Sequence, residues 1–388
     1  MPSYQTSVTQ LLRAYHGREA ICTEKFDPPG LDQIRYLCSV GLGPIAFHTY
    51  GVMLRTTEPA TYSVVQSADL TTRVLYKQMQ NATVGLLAKL NDVGITPVLL
   101  KGISTANEFY SPSHLRLMGD VDILVRPAET ELTMSKIAEL GYEIADEDWR
   151  NYYKKGHHHL PEARNPKSGV TVEVHTGLFV PGGPFAEQPV FQSDNIEAQR
   201  IEFNYYGVRA ARLTPEFQLV YTISHWGLDG NWAVNLTSIN DTIHILRRYE
   251  SELNWSMLAG WIAANPWIYA NIASLLNYLD QADIVAKSPK MREALANSKF
   301  ELQPRTLKTL MWLLHNYPFN AREKTRDAYA LWRAQAIWQD LTKPDSRDIK
   351  LPFFFLRTAV RSIHHGKYNP LGWLLSQYRH FTRQSRTE

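Results

Sequence analysis

Asp120 and Asp122, one residue apart, open an apolar stretch, and Glu173 sits alone inside another. In Asp120-Val121-Asp122-Ile123-Leu124-Val125 the branched side chains spell a buried strand, on which residues i and i+2 point the same way. Two carboxylates so placed can bridge hard cations through oxygen ligands, and hard cations bring phosphates. By itself a D-x-D pair arises about once by chance in a chain of this length. Its setting gives it weight, because a carboxylate facing a core is costly unless it is paired or metal-bound. Val170-Thr171-Val172-Glu173-Val174-His175 reads as a second buried strand with its own isolated acid, and three acids on adjacent strands make a metal site. Upstream, Lys101-Gly102-Ile103-Ser104 ends an apolar run and opens a helical pattern. It offers backbone N–H groups, the Ser104 hydroxyl and a helix N-terminus to a phosphate chain, with Lys101 adding positive charge. Arg116, four residues before Asp120, is placed to neutralise the acids or a phosphate.

The elements that must hold these groups can be read from periodicity. Up to about Gly94 the pattern is helical, ending in an amphipathic run from Ala68 to Val93 in which Leu75, Met79, Leu86 and Leu90 recur at helical spacing. Ile95 to Leu100 follows as a short strand, Asp120 to Val125 as another, and Pro127 opens a helix to Leu140. Further extended pieces run His158 to Leu160, Val170 to His175, Arg200 to Phe203 and Val208 to Leu213, separated by turn residues such as Asn165-Pro166 and Ser168-Gly169. From Thr214, an N-cap followed by Pro215 and Glu216, the chain is helical again, with Trp226, Trp232, Trp255, Trp261 and Trp267 as core packing. Three regions are expected: helical 1–94, a central α/β region 95–213 and a helical C-terminal domain 214–388.

The chain has 388 residues, 44% of them hydrophobic, which excludes a peptide-like or disordered molecule. Lys and Arg number 41 against 38 Asp and Glu, and a net charge of +3 is too small to mark the whole molecule as a nucleic-acid binder. The two cysteines, Cys22 and Cys38, form neither a CxxC motif nor a disulfide framework, so a reducing compartment, the cytoplasm, is expected. Met1 to Arg13 lacks a basic segment followed by an apolar core, and no uncharged apolar stretch of about eighteen residues occurs, so neither secretion nor a membrane span is expected.

The segment LLKGISTANEFYSPSHLRLMGDVDILV, Leu99 to Val125, resembles the signature of the DNA polymerase beta-like nucleotidyltransferase superfamily. It is most similar to bacterial members whose motif runs lysine-glycine, a helix, a tyrosine, an arginine, then D-x-D. HHHLPEARNPKSGVTVEVH, His157 to His175, resembles the stretch leading to the third acid. The resemblance implies an α+β fold, a small mixed β-sheet flanked by the N-terminal helices and the helical C-terminal domain. It implies that Asp120, Asp122 and Glu173 bind Mg2+, or Mn2+, and that Gly102 and Ser104 contact a triphosphate, with Arg116 on the arginine before the pair. Ile103 departs from the pattern, since many members carry a second glycine or a serine there, and that weakens the expected triphosphate contact.

Other polar groups carry competing readings. His157 and His159 could share a zinc ion with His175, since alternate strand residues face one way. Alternatively His159 and His175 line the cleft near Glu173 and contact substrate. His225 and Asp241, on consecutive helical segments, could take a proton from an acceptor hydroxyl, or be a buried hydrogen-bonded pair. The tail from Leu351 to Glu388 mixes Arg357, Arg361, Lys367, Arg379, Arg383 and Arg386 with aromatics, a solvated basic face or a surface for nucleic acid or acidic lipid. The expected activity is transfer of a nucleoside monophosphate from a nucleoside triphosphate, ATP favoured, to an unidentified acceptor, with release of pyrophosphate. An inactive nucleotide-binding module and a toxin-type RNA nucleotidyltransferase are the alternatives. Replacing Asp120 or Asp122 by Asn is expected to relieve mutual repulsion and leave stability unchanged or raised.

Overall fold

The computed structural model describes residues 4–17, 29–144, 157–181, 185–227 and 236–300. Ahead of the sheet come α1 (Tyr4–His16), α2 (Leu31–Ser39), α3 (Gly43–Thr57) and α4 (Pro59–Asn91). Pro59 stands in the first turn of α4, where a missing N–H breaks no helical hydrogen bond. At 33 residues α4 is about 50 Å long, given a rise of 1.5 Å per residue. Its C-terminal half lays Tyr76, Met79, Leu86, Leu87 and Leu90 against the sheet.

The sheet and its helices follow as β1 (Val98–Leu99), α5 (Lys101–Phe109), β2 (Val121–Leu124), α6 (Thr130–Glu139), β3 (Glu143–Ile144), β4 (Ala163–Arg164) and β5 (Thr171–His175). Next come α7 (Ser193–Ala198), β6 (Arg200–Tyr205), β7 (Val208–Leu213), α8 (Pro215–Gly227), α9 (Leu236–Tyr249), α10 (Trp255–Ala264), α11 (Pro266–Gln281) and α12 (Pro289–Ala296). The strands lie in the order β3-β4-β5-β2-β1-β7-β6, with β2 parallel to β5, β1 parallel to β7, and the other pairs antiparallel. The α+β class with a mixed sheet therefore holds. β1 is shorter than the expected strand because Pro97 has no N–H to give to a ladder. Asp120 lies one residue before β2 rather than on it.

Alternation along the strands divides two cores. Val121 and Ile123 of β2, with Val172 and Val174 of β5, pack with α4 and α6 on one face. Leu124 and Val98 belong to the other core, built from α1 to α3 and α8 to α12. Helices on either side of the sheet in sequence thus share one core, and Thr9 of α1 is 3.1 Å from the Tyr278 hydroxyl of α11. Trp226 and Trp255 are buried in it, and Trp261 and Trp267 pack on its margin. Trp232 and the basic aromatic tail lie outside the described residues. No helix among the described residues is long and apolar enough to cross a membrane.

A polar seam crosses that core. Nε2 of His16 donates to Oδ1 of Asn240 at 2.6 Å, and the His244 ring lies 4.7 Å from that of His16 and 4.2 Å from that of Tyr110. Burial and the neighbouring His244 push His16 down to about 3, and burial pushes His244 down to about 4. Both are neutral when folded but take up a proton near pH 6.5 when unfolded, so the stability present above that pH falls as pH drops toward their folded values. Each contributes a slope of about 1.4 kcal/mol per pH unit while only the unfolded chain is protonated. His16→Gln should flatten the fall in unfolding free energy between pH 6.5 and 4, read by urea titration at several pH values; an unchanged slope would contradict a neutral buried His16.

Candidate active site

Parallel pairing of β2 with β5 sets Asp122 directly across from Glu173 and Leu124 across from His175. Both acids leave the sheet on the face away from Val121 and Ile123, toward the helical core. Asp122 is 2% exposed, and burial alone would favour its neutral form. Two hydrogen bonds to Oδ1 outweigh that, from His175 Nε2 at 2.8 Å and from Lys101 Nζ at 3.0 Å, and hold the carboxyl well below the usual carboxylate range. Burial works against the Lys101 charge too, but nearby Tyr221 and Asp122 keep its ammonium above the ordinary lysine value.

His175 Nε2 also lies 3.4 Å from Glu173 Oε2, so one imidazole N–H sits between two carboxylates. Its hydrogen bond lowers Glu173, while the carboxylates overcome burial and raise His175. Donor atoms of Asp122, Glu173 and His175 lie within 4.8 Å of one another, close enough to hold one cation. Asp120 stands beside them outside that trio. Burial first, then the Asp122 and Glu173 charges, push it up to about 6.

A helix begins at the lysine-glycine pair, as the sequence suggests. Lys101 opens α5, with Gly102 and Ser104 buried in its first turn. A Cβ on Gly102 would come within 2.9 Å of Met118 Cβ and 3.5 Å of Arg116 Nη1, so only glycine lets α5 approach the segment leading into β2.

Arg116 and Asp241 depart from their expected roles. Arg116 donates through Nε and Nη2 to Asp241 at 3.0 and 2.9 Å, and both side chains are buried. Asp241 also accepts from the Tyr110 hydroxyl at 2.7 Å. Its carboxylate is thus engaged by Arg116 and Tyr110, and the Arg116 guanidinium, beside Gly102, is paired with Asp241 while still within the field of Asp122. No group of three metal donors among the described residues includes His157 or His159, so the zinc arrangement is not formed. His159 pairs with His175 in an isolated bridge, and its Nδ1 donates to the Leu160 carbonyl at 2.8 Å, leaving Nε2 as an acceptor. His225 is pushed down to about 4, by burial first and then by Lys101.

Sequence reasoning missed Tyr221. It lies one helical turn before His225 on α8, with a buried hydroxyl that has no hydrogen-bond partner and feels the charges of Lys101, Asp122 and Glu173. The i, i+4 spacing to His225 was the available signal, masked by the apolar residues around it.

Comparison with known proteins now bears on the geometry. The model of a family described as "Uncharacterised nucleotidyltransferase" matches residues 41–264, more than half of the chain and the whole of the site above. The chain belongs to that family. No curated protein matches it. Among solved structures it is similar to an antigenic nucleotidyltransferase-like protein from Paracoccidioides brasiliensis, at 16% identity over 57% of this chain and 94% of that one, with a TM-score of 0.35. That likeness is too slight to carry an argument.

Removing one partner of a buried ion pair leaves the other charge uncompensated, at a cost of about 3–5 kcal/mol. Arg116→Met and Asp241→Leu should therefore each lower stability strongly, and the double substitution Arg116→Met/Asp241→Leu should lose less than the sum. Chemical denaturation of the three variants measures this; additive losses would mean the pair is not coupled.

Proposed function

We propose that the protein is a metal-dependent nucleotidyltransferase that moves a nucleoside monophosphate from a nucleoside triphosphate, ATP favoured, to an acceptor hydroxyl, releasing pyrophosphate. The observation that carries this reading is the parallel pairing that puts Asp122 beside Glu173, with Asp120 adjacent and the N-terminus of α5 at hand. The donor set fits a hard divalent cation, Mg2+ or Mn2+, because it is mainly carboxylate oxygen. Burial first, and then the Asp122 and Glu173 charges, resist ionisation of Asp120, and a cation among the three would offset the latter. Asp120, Asp122 and Glu173 would hold the metal. When bound, it supplies charge stabilisation to the attacking and leaving oxygens of an in-line displacement.

The remaining roles belong to the chain itself. The first turn of α5 would offer backbone N–H groups to the triphosphate, with Ser104 beside them, and the missing Cβ at Gly102 lets that turn sit against Met118 and Arg116. Lys101 adds a cation at the same edge. His175 fixes the orientation of Asp122 and Glu173 by hydrogen bonding. On the acceptor side stand His159, held by its Nδ1 against the Leu160 carbonyl, and Tyr221 and His225 of α8. Burial keeps His225 neutral, so it can accept a hydrogen bond from an acceptor hydroxyl and orient it. Positioning and electrostatics then account for most of the acceleration.

Incubation of the protein with each labelled nucleoside triphosphate, Mg2+ and cell extract should label an acceptor; labelling with none of them would count against the activity. Asp120→Asn and Asp122→Asn should both abolish transfer, yet they should part company in stability. Neutralising Asp120 removes a carboxylate crowded by two others, so metal-free thermal stability should hold or rise. Asp122→Asn strips Lys101 and His175 of their common partner and should lower it, contrary to what repulsion alone suggests. Melting curves in the presence of a chelator distinguish the two, and equal shifts would contradict this division.

His225→Ala should impair transfer more than it weakens binding of a magnesium complex of a non-hydrolysable ATP analogue. Calorimetry beside a transfer assay tests this, and equal loss in both would place the acceptor elsewhere.

A further inference from the structure

The Lys101 side chain occupies a peculiar position. Its φ of 44° lies in the left-handed region, where a side chain is disfavoured and glycine would sit without strain. From there its Nζ reaches inward to Asp122 Oδ1, the same oxygen that accepts from His175. The ammonium thus occupies the electrostatic place of a cation beside the most deeply buried acid of the site. A divalent ion arriving at Asp122 and Glu173 would meet that positive charge at close range, which is unfavourable at any interior dielectric.

We propose that Lys101 is an internal counterion that guards the metal site and couples metal binding to nucleotide binding. Without ligands it neutralises Asp122. With a nucleotide present, the phosphates at the first turn of α5 give the ammonium another anionic partner, and Asp122 is released to the metal. Metal alone then binds weakly because it has to displace Lys101 from the buried Asp122 carboxylate, whereas metal and nucleotide together bind tightly. The backbone strain at Lys101 is consistent with a lysine kept where glycine would be more comfortable. This inference rests on the nucleotidyltransferase reading of the same site.

The test is titration with Mn2+, followed by electron paramagnetic resonance, with and without a non-hydrolysable ATP analogue. It compares wild type with K101M, with K101R, and with K101Q, which drops the charge while retaining a donor for Asp122 and so safeguards the fold. K101M and K101Q should bind Mn2+ alone at least about tenfold more tightly than wild type, and the analogue should improve that affinity less than it does in wild type. K101R, which keeps the cation, should resemble wild type. Unchanged or weaker binding of Mn2+ alone in both neutral variants, with Mn2+ and analogue still binding wild type, would overturn the inference and leave the assigned function standing. Failure of Mn2+ to bind any of the proteins, with or without the analogue, would overturn both.

Discussion

The site depends on one buried carboxylate. Asp122 lies in a central strand covered on both sides, where an unpaired negative charge would be intolerable. Its neighbours answer that demand: a lysine in a strained backbone conformation at the mouth of α5 and a histidine two residues beyond Glu173 on the adjacent strand. Because those two partners come from two other elements, the register of β2 against β5 and the seating of α5 are tied to the same charge. The approach that brings Lys101 within reach in turn requires the missing side chain at Gly102.

Away from the acids, a second polar chain links the helices to the sheet. Arg116 bonds Asp241, Asp241 accepts from Tyr110, Tyr110 accepts from Asn240 at 2.8 Å, and Asn240 accepts from His16 of α1. Every link is a hydrogen bond between elements distant in sequence, so the N-terminal helix is tied through Arg116 to the start of α5.

Much of the frame was legible in the sequence because it obeys simple periods. The period-2 alternation of Asp122 and Glu173 among branched residues predicts strands with their acids on one face, and β7 matches its expected Val208 to Leu213 span. The lysine-glycine turn predicts the start of α5. What stayed hidden depends on pairings that no local pattern encodes. His175 reaches Asp122 through the relative register of two strands, and Arg116 meets Asp241 only after α9 packs beside α5. Tyr221 looks like ordinary core until the fold leaves its hydroxyl without a partner. The helices from both ends of the chain merge into one core for the same reason, since apolar faces do not name the faces they will cover.

The parallel pairing of β2 with β5 has a kinetic side as well. Asp122 and Glu173 meet across a connection on the order of fifty residues, and loop closure of that length is slow compared with forming α4 or the β6–β7 hairpin. Asp120 and Asp122 are neighbours from the start, whereas Glu173 and His175 join them only when the non-local strand pair docks. The grouping of Asp122, Glu173 and His175 within reach of one another is thus a product of the last, non-local step of folding and not of local sequence.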